Sequence, residues 1–302
     1  MTRTELRQAL SHCVLCPRMC GADRAAGQTG FCGCTEQVRI ARAALHFYEE
    51  PCLSGTRGAS TVFFAGCTLR CIYCQNAQIS RKPVGRTVSV PELSDIFLDL
   101  QAQGAHNIDL VTPTQFSPQI AEAVKLARQG GLHIPIVWNT GGYERPEVLE
   151  ALADTVDVWM PDLKYMKPET ARALSAAPDY PGAAKAALAE MFRQQPELVY
   201  DEDGLLQKGV LARILVLPGH VKEAIAILQY LAETYEDRIL ISIMSQYTPM
   251  PQMADHPDLS RKITRREYDR VVSEALRLDL SNVFIQEGDV AKDSFIPPFE
   301  ES

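Results

Sequence analysis

Short apolar runs alternate with longer amphipathic stretches from residue 61 onwards. This pattern constrains the fold class more strongly than any other in the sequence. Six runs have the length and composition of buried strands: 61–66, 107–112, 134–139, 156–162, 210–217 and 239–245. The stretches between them carry apolar residues at the i, i+3, i+4 spacing of helices. Pro91, Pro118 and Pro146 stand just inside the starts of three of these helices. Strands that alternate with helices predict an α/β fold with a parallel sheet.

The composition and the charge exclude several classes of protein. At 302 residues the chain can bury roughly three quarters of its unfolded surface. A hydrophobic content of 46% and a charged content of 23% argue against a disordered or a membrane protein. The net charge of -8 offers no basic field to a phosphate backbone, and no signal peptide or membrane-spanning run is present. We therefore expect a cytoplasmic protein without a nucleic-acid or membrane partner.

All nine cysteines lie before residue 75, and three of them form a tight group. Cys67, Cys71 and Cys74 follow the first predicted strand with the spacing C-x3-C-x2-C. In a reducing compartment, clustered thiols indicate metal binding or catalysis more often than disulfides. Three thiolates on a [4Fe–4S] cluster leave one iron open, much as a catalytic zinc site keeps one open position. The loop therefore predicts a catalytic cluster, and a zinc loop or a few buried thiols is the alternative.

Four further cysteines precede the predicted sheet with the spacing C-x2-C-x3-C-x11-C: Cys13, Cys16, Cys20 and Cys32. Four thiolates close a structural site, so we predict either a zinc ion or a second iron–sulfur cluster here. Reduced structural thiols are the alternative. Cys34 and Cys52 have no evident partner, and we interpret them as small buried hydrophobic residues; the alternative is that one of them replaces another cysteine as a cluster ligand.

The cysteine loop "GCTLRCIYCQN", with Tyr73 just before its last cysteine, resembles the signature of the radical S-adenosylmethionine (SAM) superfamily. Other stretches resemble the pyruvate formate-lyase activating enzyme branch, and within it the PflX-like members: "CVLCPRMCGADRAAGQTGFCG", "HFYEEPCLSG", "NTGGY", "PDLK" and "LVLPGH". The resemblance implies a partial (β/α)6 barrel of the TIM type, here with an N-terminal Cys-rich extension. It also implies a [4Fe–4S] cluster whose open iron is chelated by SAM.

The reaction implied by the resemblance is reductive cleavage of SAM to methionine and a 5′-deoxyadenosyl radical, which abstracts a hydrogen atom from a substrate. It further implies an electron donor such as a flavodoxin or ferredoxin. The implied substrate is a small molecule, a peptide or a glycyl radical enzyme, although the ferredoxin insert of many glycyl-radical activators is absent. The alternative is a non-catalytic iron–sulfur electron carrier or redox sensor. A carrier needs fully ligated clusters and no large barrel with polar strand ends, so the enzyme is favoured.

Polar residues follow the predicted strands at their C-terminal ends, where barrels of parallel strands build their sites. The resemblance implies SAM or substrate contacts for residues in "NTGGY" and "PDLK". The Gly-Gly-Glu with which the family binds the SAM amino group is absent, and "VTPTQF" stands in its place. The predicted SAM-binding residues are Thr112, Thr114, Gln115, Asn139, Thr140 and Asp162.

Three residues at strand ends are predicted to take part in catalysis: Asp162, Lys164 and His220. Asp162 and Lys164 lie two residues apart on one strand, so their side chains point to the same side and can form an ion pair. His220 follows the fifth strand. Glu49 and Glu50 precede Pro51, and we interpret them as solvated loop charges.

We divide the chain into a cysteine-rich unit (1–55), the barrel (56–290) and a Pro-rich tail (291–302). The connection between the fourth and fifth strands, about 165–208, is predicted to hold a helix over 183–194 and a hairpin turn at Asp203-Gly204. If this connection and the N-terminal unit cover the barrel mouth, a small substrate is favoured over a protein loop. Trp138 and Trp159 are predicted to lie in the core.

Overall fold

The computed structural model describes residues 1–82 and 84–286, and within them the chain forms ten strands and ten α-helices. The strands are β1 (Val38–His46), β2 (Ala59–Phe64), β3 (Arg86–Val88), β4 (Ile108–Val111), β5 (Ile136–Thr140), β6 (Val158–Pro161), β7 (Val199–Tyr200), β8 (Leu206–Leu215), β9 (Leu240–Met244) and β10 (Val283–Ile285). The helices are α1 (Arg3–Gln8), α2 (Pro51–Ser54), α3 (Ala77–Ser80), α4 (Val90–Ala102), α5 (Ser117–Gln129), α6 (Pro146–Glu150), α7 (Pro168–Ser175), α8 (Tyr180–Gln194), α9 (Val221–Tyr235) and α10 (Arg265–Arg277).

The strands form one open, mostly parallel sheet in the order β10-β9-β8-β6-β5-β4-β2-β1-β3, with β7 paired to β8 as a hairpin. Neighbouring strands from β2 to β10 are parallel, while β1 runs antiparallel to both β2 and β3. The six predicted strands correspond to β2, β4, β5, β6, β8 and β9. The predicted α/β class and the partial barrel are therefore confirmed.

Burial on both faces of the sheet explains why these strands were predictable. Every residue of β2, β4, β5, β6 and β9 is buried, as expected for parallel strands that are covered on both faces. Trp138 and Trp159 are completely buried, with ring centroids 6.1 Å apart, which confirms their place in the core. Pro91, Pro118 and Pro146 lie in the first turns of α4, α5 and α6 as predicted.

The N-terminal segment shares the sheet and the core of the barrel. Strand β1 pairs with β2 along most of its length, and Leu6, Leu10 and Leu15 are buried in the main hydrophobic core. The proposed boundary after residue 55 thus falls between two paired strands, and the division into units stays a prediction. The proposed tail, 291–302, lies outside the described residues.

The long connection between β6 and β8 holds α7, α8 and β7. The predicted helix over 183–194 is part of α8, whereas α7 was not expected from the sequence. The predicted hairpin turn joins β7 to β8, and Gly204 supplies the positive φ of 76° that this turn needs. Within the described chain, none of the helices is both long enough and apolar enough to cross a bilayer.

Candidate functional site

A cavity of about 550 Å³ opens at the C-terminal ends of the parallel strands, the edge where barrels of this kind place their sites. Its walls come from the loop after β2, from the ends of β4, β5, β6, β8 and β9, and from the segment after β1. Eight predicted site residues line it: Cys67, Cys71, Cys74, Thr112, Asn139, Thr140, Asp162 and Lys164. The fold therefore brings the three thiols and the strand-end residues into one space.

Three other residues that were predicted to bind SAM or to act in catalysis lie outside the lining of this cavity: Thr114, Gln115 and His220. Gln115 Nε2 donates hydrogen bonds to the carbonyl oxygens of Ala65 and Gly66, at 3.0 and 3.2 Å. It therefore holds the backbone that leads into the cysteine loop. His220 precedes the first turn of α9.

Gly66 fixes the start of the cysteine loop against the N-terminal segment. Its φ is +80°, and a Cβ atom there would lie 2.3 Å from Cys34 Sγ and 2.7 Å from the carbonyl oxygen of Cys32. Only glycine fits both the backbone conformation and the space. The loop that carries the three thiols is thus packed directly against the cysteine-rich segment.

The three thiols of the loop interact electrostatically. Burial raises the pKa of Cys67, with further contributions from Cys71 and Cys74, and burial together with Cys71 raises the pKa of Cys74. Among the described residues, no three Cys, His, Asp or Glu side chains converge on the position of one metal ion. In a [4Fe–4S] cluster each thiolate binds a different iron, so the ligands of a cluster need not converge on one point. The loop fits a [4Fe–4S] cluster, and its role as the ligand set stays a prediction.

Arg213 on β8 contacts residues from three different walls of the cavity. Its Nε donates to Asp162 Oδ1 at 2.9 Å, its Nη2 donates to Asn139 Oδ1 at 2.6 Å, and its Nη1 lies 3.4 Å from Glu49 Oε2. Lys164 Nζ donates to Asp162 Oδ2 at 2.8 Å, so the ion pair expected from their spacing is present. Burial alone would raise the pKa of Asp162, but the two cations hold it below its usual range.

The acidic segment after β1 belongs to the site, so the interpretation of Glu49 and Glu50 as solvated loop charges is wrong. Both line the cavity, and Glu50 is only 7% exposed. Burial raises the pKa of Glu50, and a perturbed acid in a cleft is typical of functional sites. Sequence reasoning also misses Arg213, although a single cation inside the apolar run 210–217 is a usable signal, because a buried charge needs a partner.

Two further buried acids, Asp109 and Glu144, accept hydrogen bonds from predicted SAM-binding residues. Asp109 accepts a hydrogen bond from Asn139 Nδ2 at 3.3 Å, and Glu144 Oε1 accepts one each from the hydroxyls of Thr114 and Thr140 at 2.5 Å. Burial raises the pKa of Asp109 well above its usual value and that of Glu144 to about 7. These acids orient Asn139 and Thr140 toward the cavity wall.

The four N-terminal thiols share a second, much smaller cavity: Cys13, Cys16, Cys20 and Cys32 all line it. Arg24 is fully buried beside them, with Nη1 3.8 Å from Cys13 Sγ and Nη2 donating to the carbonyl oxygen of Thr35 at 2.7 Å. A fixed buried cation offsets the negative charge that metal-bound thiolates carry. The metal stays a prediction. Cys34 and Cys52 are buried, as expected.

The chain is similar to known proteins in its sequence. The model of the radical SAM superfamily matches residues 61–231, more than half of the chain. The uncharacterized protein MJ0674 of Methanocaldococcus jannaschii is 25% identical over 288 residues, which cover 92% of this chain and 78% of that protein.

Two solved structures share the fold. The FeFe-hydrogenase maturase HydG from Carboxydothermus hydrogenoformans superposes with a TM-score of 0.50 and 15% identity, over 76% of this chain and 54% of that one. The structure of anSMEcpe with bound AdoMet superposes with a TM-score of 0.51 and 11% identity, over 74% and 61%. The chain thus spans little more than half the length of these solved chains, and at such identities the likeness concerns the fold.

Proposed function

The chain belongs to the radical SAM superfamily, and we propose that it cleaves SAM in the strand-end cavity to start a radical reaction on a polypeptide substrate. The observation that carries the proposal is that three cysteine thiols and five strand-end residues line one cavity. When bound, the reduced [4Fe–4S] cluster supplies the electron that splits SAM into methionine and a 5′-deoxyadenosyl radical, and this radical removes a hydrogen atom from the substrate.

The residues around the cavity take separate roles in this proposal. Cys67, Cys71 and Cys74 hold the cluster. Thr112, Asn139 and Thr140 present hydrogen-bonding groups to SAM. Asp162 and Lys164 contact SAM or the substrate as a pair whose net charge is zero.

The backbone at Thr112 supports a functional role for this strand end. Its φ of 57° is unusual for a β-branched residue, and its N–H donates to the carbonyl oxygen of Asn139 at 2.8 Å. Strained conformations of this kind persist where the surrounding structure holds them, and they cluster at ligand sites.

The openness of the cavity favours a polypeptide substrate, as in the activating-enzyme branch that the sequence resembles. Among the described residues, none between 165 and 208 and none before His46 lines the cavity. The connection 165–208 therefore contributes nothing to its wall among the described residues, and the N-terminal unit contributes one edge, within residues 46–51. Tyr48 lines the mouth and is 65% exposed, which leaves an aromatic surface for a peptide. A small molecule that transfers its hydrogen into 5′-deoxyadenosine would contradict this part of the proposal.

The charge around the cysteine loop favours a negatively charged electron donor such as a flavodoxin or ferredoxin. Residues 51–91 contain no Asp or Glu, although the whole chain carries a net charge of -8. Arg70, Arg81 and Lys82 are exposed, and Arg81 Nη2 donates to the carbonyl oxygens of Cys71 and Ile72. Positive surface next to the cluster ligands would steer an acidic protein toward them.

The test is anaerobic reconstitution with iron and sulfide, followed by reduction with dithionite in the presence of SAM. We expect release of 5′-deoxyadenosine, together with a change in the spectrum of the reduced cluster when SAM is added. A cluster that forms but neither responds to SAM nor cleaves it would favour the electron carrier or redox sensor instead.

For the N-terminal thiols, we propose a four-thiolate metal site that orders the segment around Arg24. We expect a variant with alanine at Cys67, Cys71 and Cys74 to retain metal, because the second group of thiols is untouched. Elemental analysis distinguishes the two forms, since about four irons per chain indicate a second cluster and one zinc indicates a structural site. Loss of all metal from this variant would contradict the proposed site.

A further inference from the structure

Each thiol of the cysteine loop accepts one hydrogen bond from the protein. The backbone N–H of Leu69 lies 3.3 Å from Cys67 Sγ, and the hydroxyl of Ser80 lies 3.4 Å from Cys74 Sγ. The hydroxyl of Ser175 makes the shortest of these bonds, 3.0 Å to Cys71 Sγ. Ser175 is distant in sequence, at the last position of α7, so this contact depends on tertiary structure.

Ser175 is the end of a buried chain of hydroxyl groups. Tyr165 Oη lies 2.6 Å from Ser175 Oγ, and Tyr73 Oη lies 2.7 Å from Tyr165 Oη. The three residues are between 0 and 5% exposed. Each hydroxyl carries one hydrogen. Because Ser175 donates its hydrogen to Cys71, it accepts from Tyr165, and Tyr165 in turn accepts from Tyr73. All three dipoles therefore point toward the sulfur of Cys71.

The N-terminal segment holds Ser175 in this position. The Arg18 guanidinium donates to the carbonyl oxygens of Ser175 and Ala176 at 3.2 and 2.5 Å, and its Nε donates to the carbonyl oxygen of Thr68 in the cysteine loop at 3.1 Å. The backbone N–H of Ile72 donates to the carbonyl oxygen of Leu174 at 2.9 Å. The end of α7 is thus clamped to the loop on both sides of Cys71.

We propose that the chain Tyr73–Tyr165–Ser175 raises the reduction potential of the cluster by donating to Cys71, an inference that rests on the proposed function of the cysteine loop. Reduction adds negative charge to the cluster and its sulfurs, and hydrogen bonds to those sulfurs stabilise the reduced form. Aligned hydroxyls polarise one another, so the second and third members strengthen the bond made by the first. Ser175 and Tyr165 are positioning residues in this sense.

The experiment is a redox titration followed by electron paramagnetic resonance, on reconstituted protein without SAM. We expect Ser175→Ala to shift the midpoint potential to more negative values and Tyr165→Phe to shift it less in the same direction. Tyr165→Phe is expected to add nothing in the Ser175→Ala background, because its effect passes through Ser175. Ser94→Ala, which removes a buried hydroxyl from α4 outside the cavity lining, is the matched control and is expected to leave the potential unchanged.

The outcomes separate this inference from the proposed function. A wild-type potential in Ser175→Ala, in protein that still holds its cluster and cleaves SAM, would overturn the inference alone. Failure of the wild-type protein to bind a cluster at the loop would overturn both. If Ser175→Ala fails to take up iron, the midpoint potential of Tyr165→Phe is the test, because this substitution keeps the ring and removes only one hydroxyl. An unchanged potential in Tyr165→Phe would then overturn the inference.

Discussion

Replacing Cys71 with alanine is expected to reduce SAM-dependent release of 5′-deoxyadenosine to the level measured without enzyme. Three thiolates are the whole protein ligand set in the proposed site, so the loss of one exposes a second iron and leaves the cluster held by Cys67 and Cys74. The same change removes the acceptor of the Ser175 hydroxyl. The measurement is quantification of 5′-deoxyadenosine under anaerobic, reducing conditions, with the iron content of each sample determined in parallel.

Cys52→Ala is the matched control for this result. Cys52 is 6% exposed and packs in a hydrophobic cluster with Val137 and Val158, outside the cavity lining. Its truncation is expected to lower the free energy of unfolding by about 1 kcal/mol, the usual effect of removing a small buried group, while SAM cleavage continues. Undiminished SAM cleavage by Cys71→Ala would contradict the assignment of the cysteine loop.

The parts of the fold that were predictable from the sequence are those whose signal is local. A parallel strand buried on both faces is a continuous apolar run, so β4, β5, β6 and β9 stand out from the helices around them. The cysteine loop is equally local, because its three thiols fall within eight residues. The pairing of Asp162 with Lys164 follows from the two-residue period of a strand.

What the sequence did not reveal depends on contacts between distant segments. Strand β1 is mostly half-buried and carries Arg39 and Arg42, so it lacks the apolar run that marks the other strands. Ser175 approaches Cys71 only because α7 ends beside the loop. Thr114 and Thr140 meet on Glu144 through the pairing of β4 with β5, which no spacing along the chain encodes. Sequence patterns thus locate the strand ends but not the partners that orient their side chains.

Arg213→Met is expected to lower the free energy of unfolding by about 3 kcal/mol, the lower end of the usual effect of removing one partner from a buried ion pair, because Asp162 keeps Lys164. Methionine keeps much of the side-chain volume, so the loss reflects charge more than packing. Asp162 would keep Lys164 alone, Asn139 Oδ1 would lose its 2.6 Å donor, and Glu49 would lose its cation. Equilibrium unfolding in urea measures the difference, and it also tests a residue that the sequence analysis did not select.

The pH dependence of this difference identifies its cause. Because the pKa of Asp162 is lowered in the folded protein, its pairing with Arg213 stabilises the fold above the ordinary aspartate pKa of about 4 and loses this effect as the pH falls through the lowered value. The difference in the free energy of unfolding between wild type and Arg213→Met is therefore expected to be constant from neutral pH down to about 5 and to become smaller below pH 4. Arg265→Met removes the same group from an exposed pair with Asp269, and surface pairs of this kind contribute little. Equal destabilisation by the two substitutions, or a gap that widens in acid, would show that the Arg213 network does not act through Asp162.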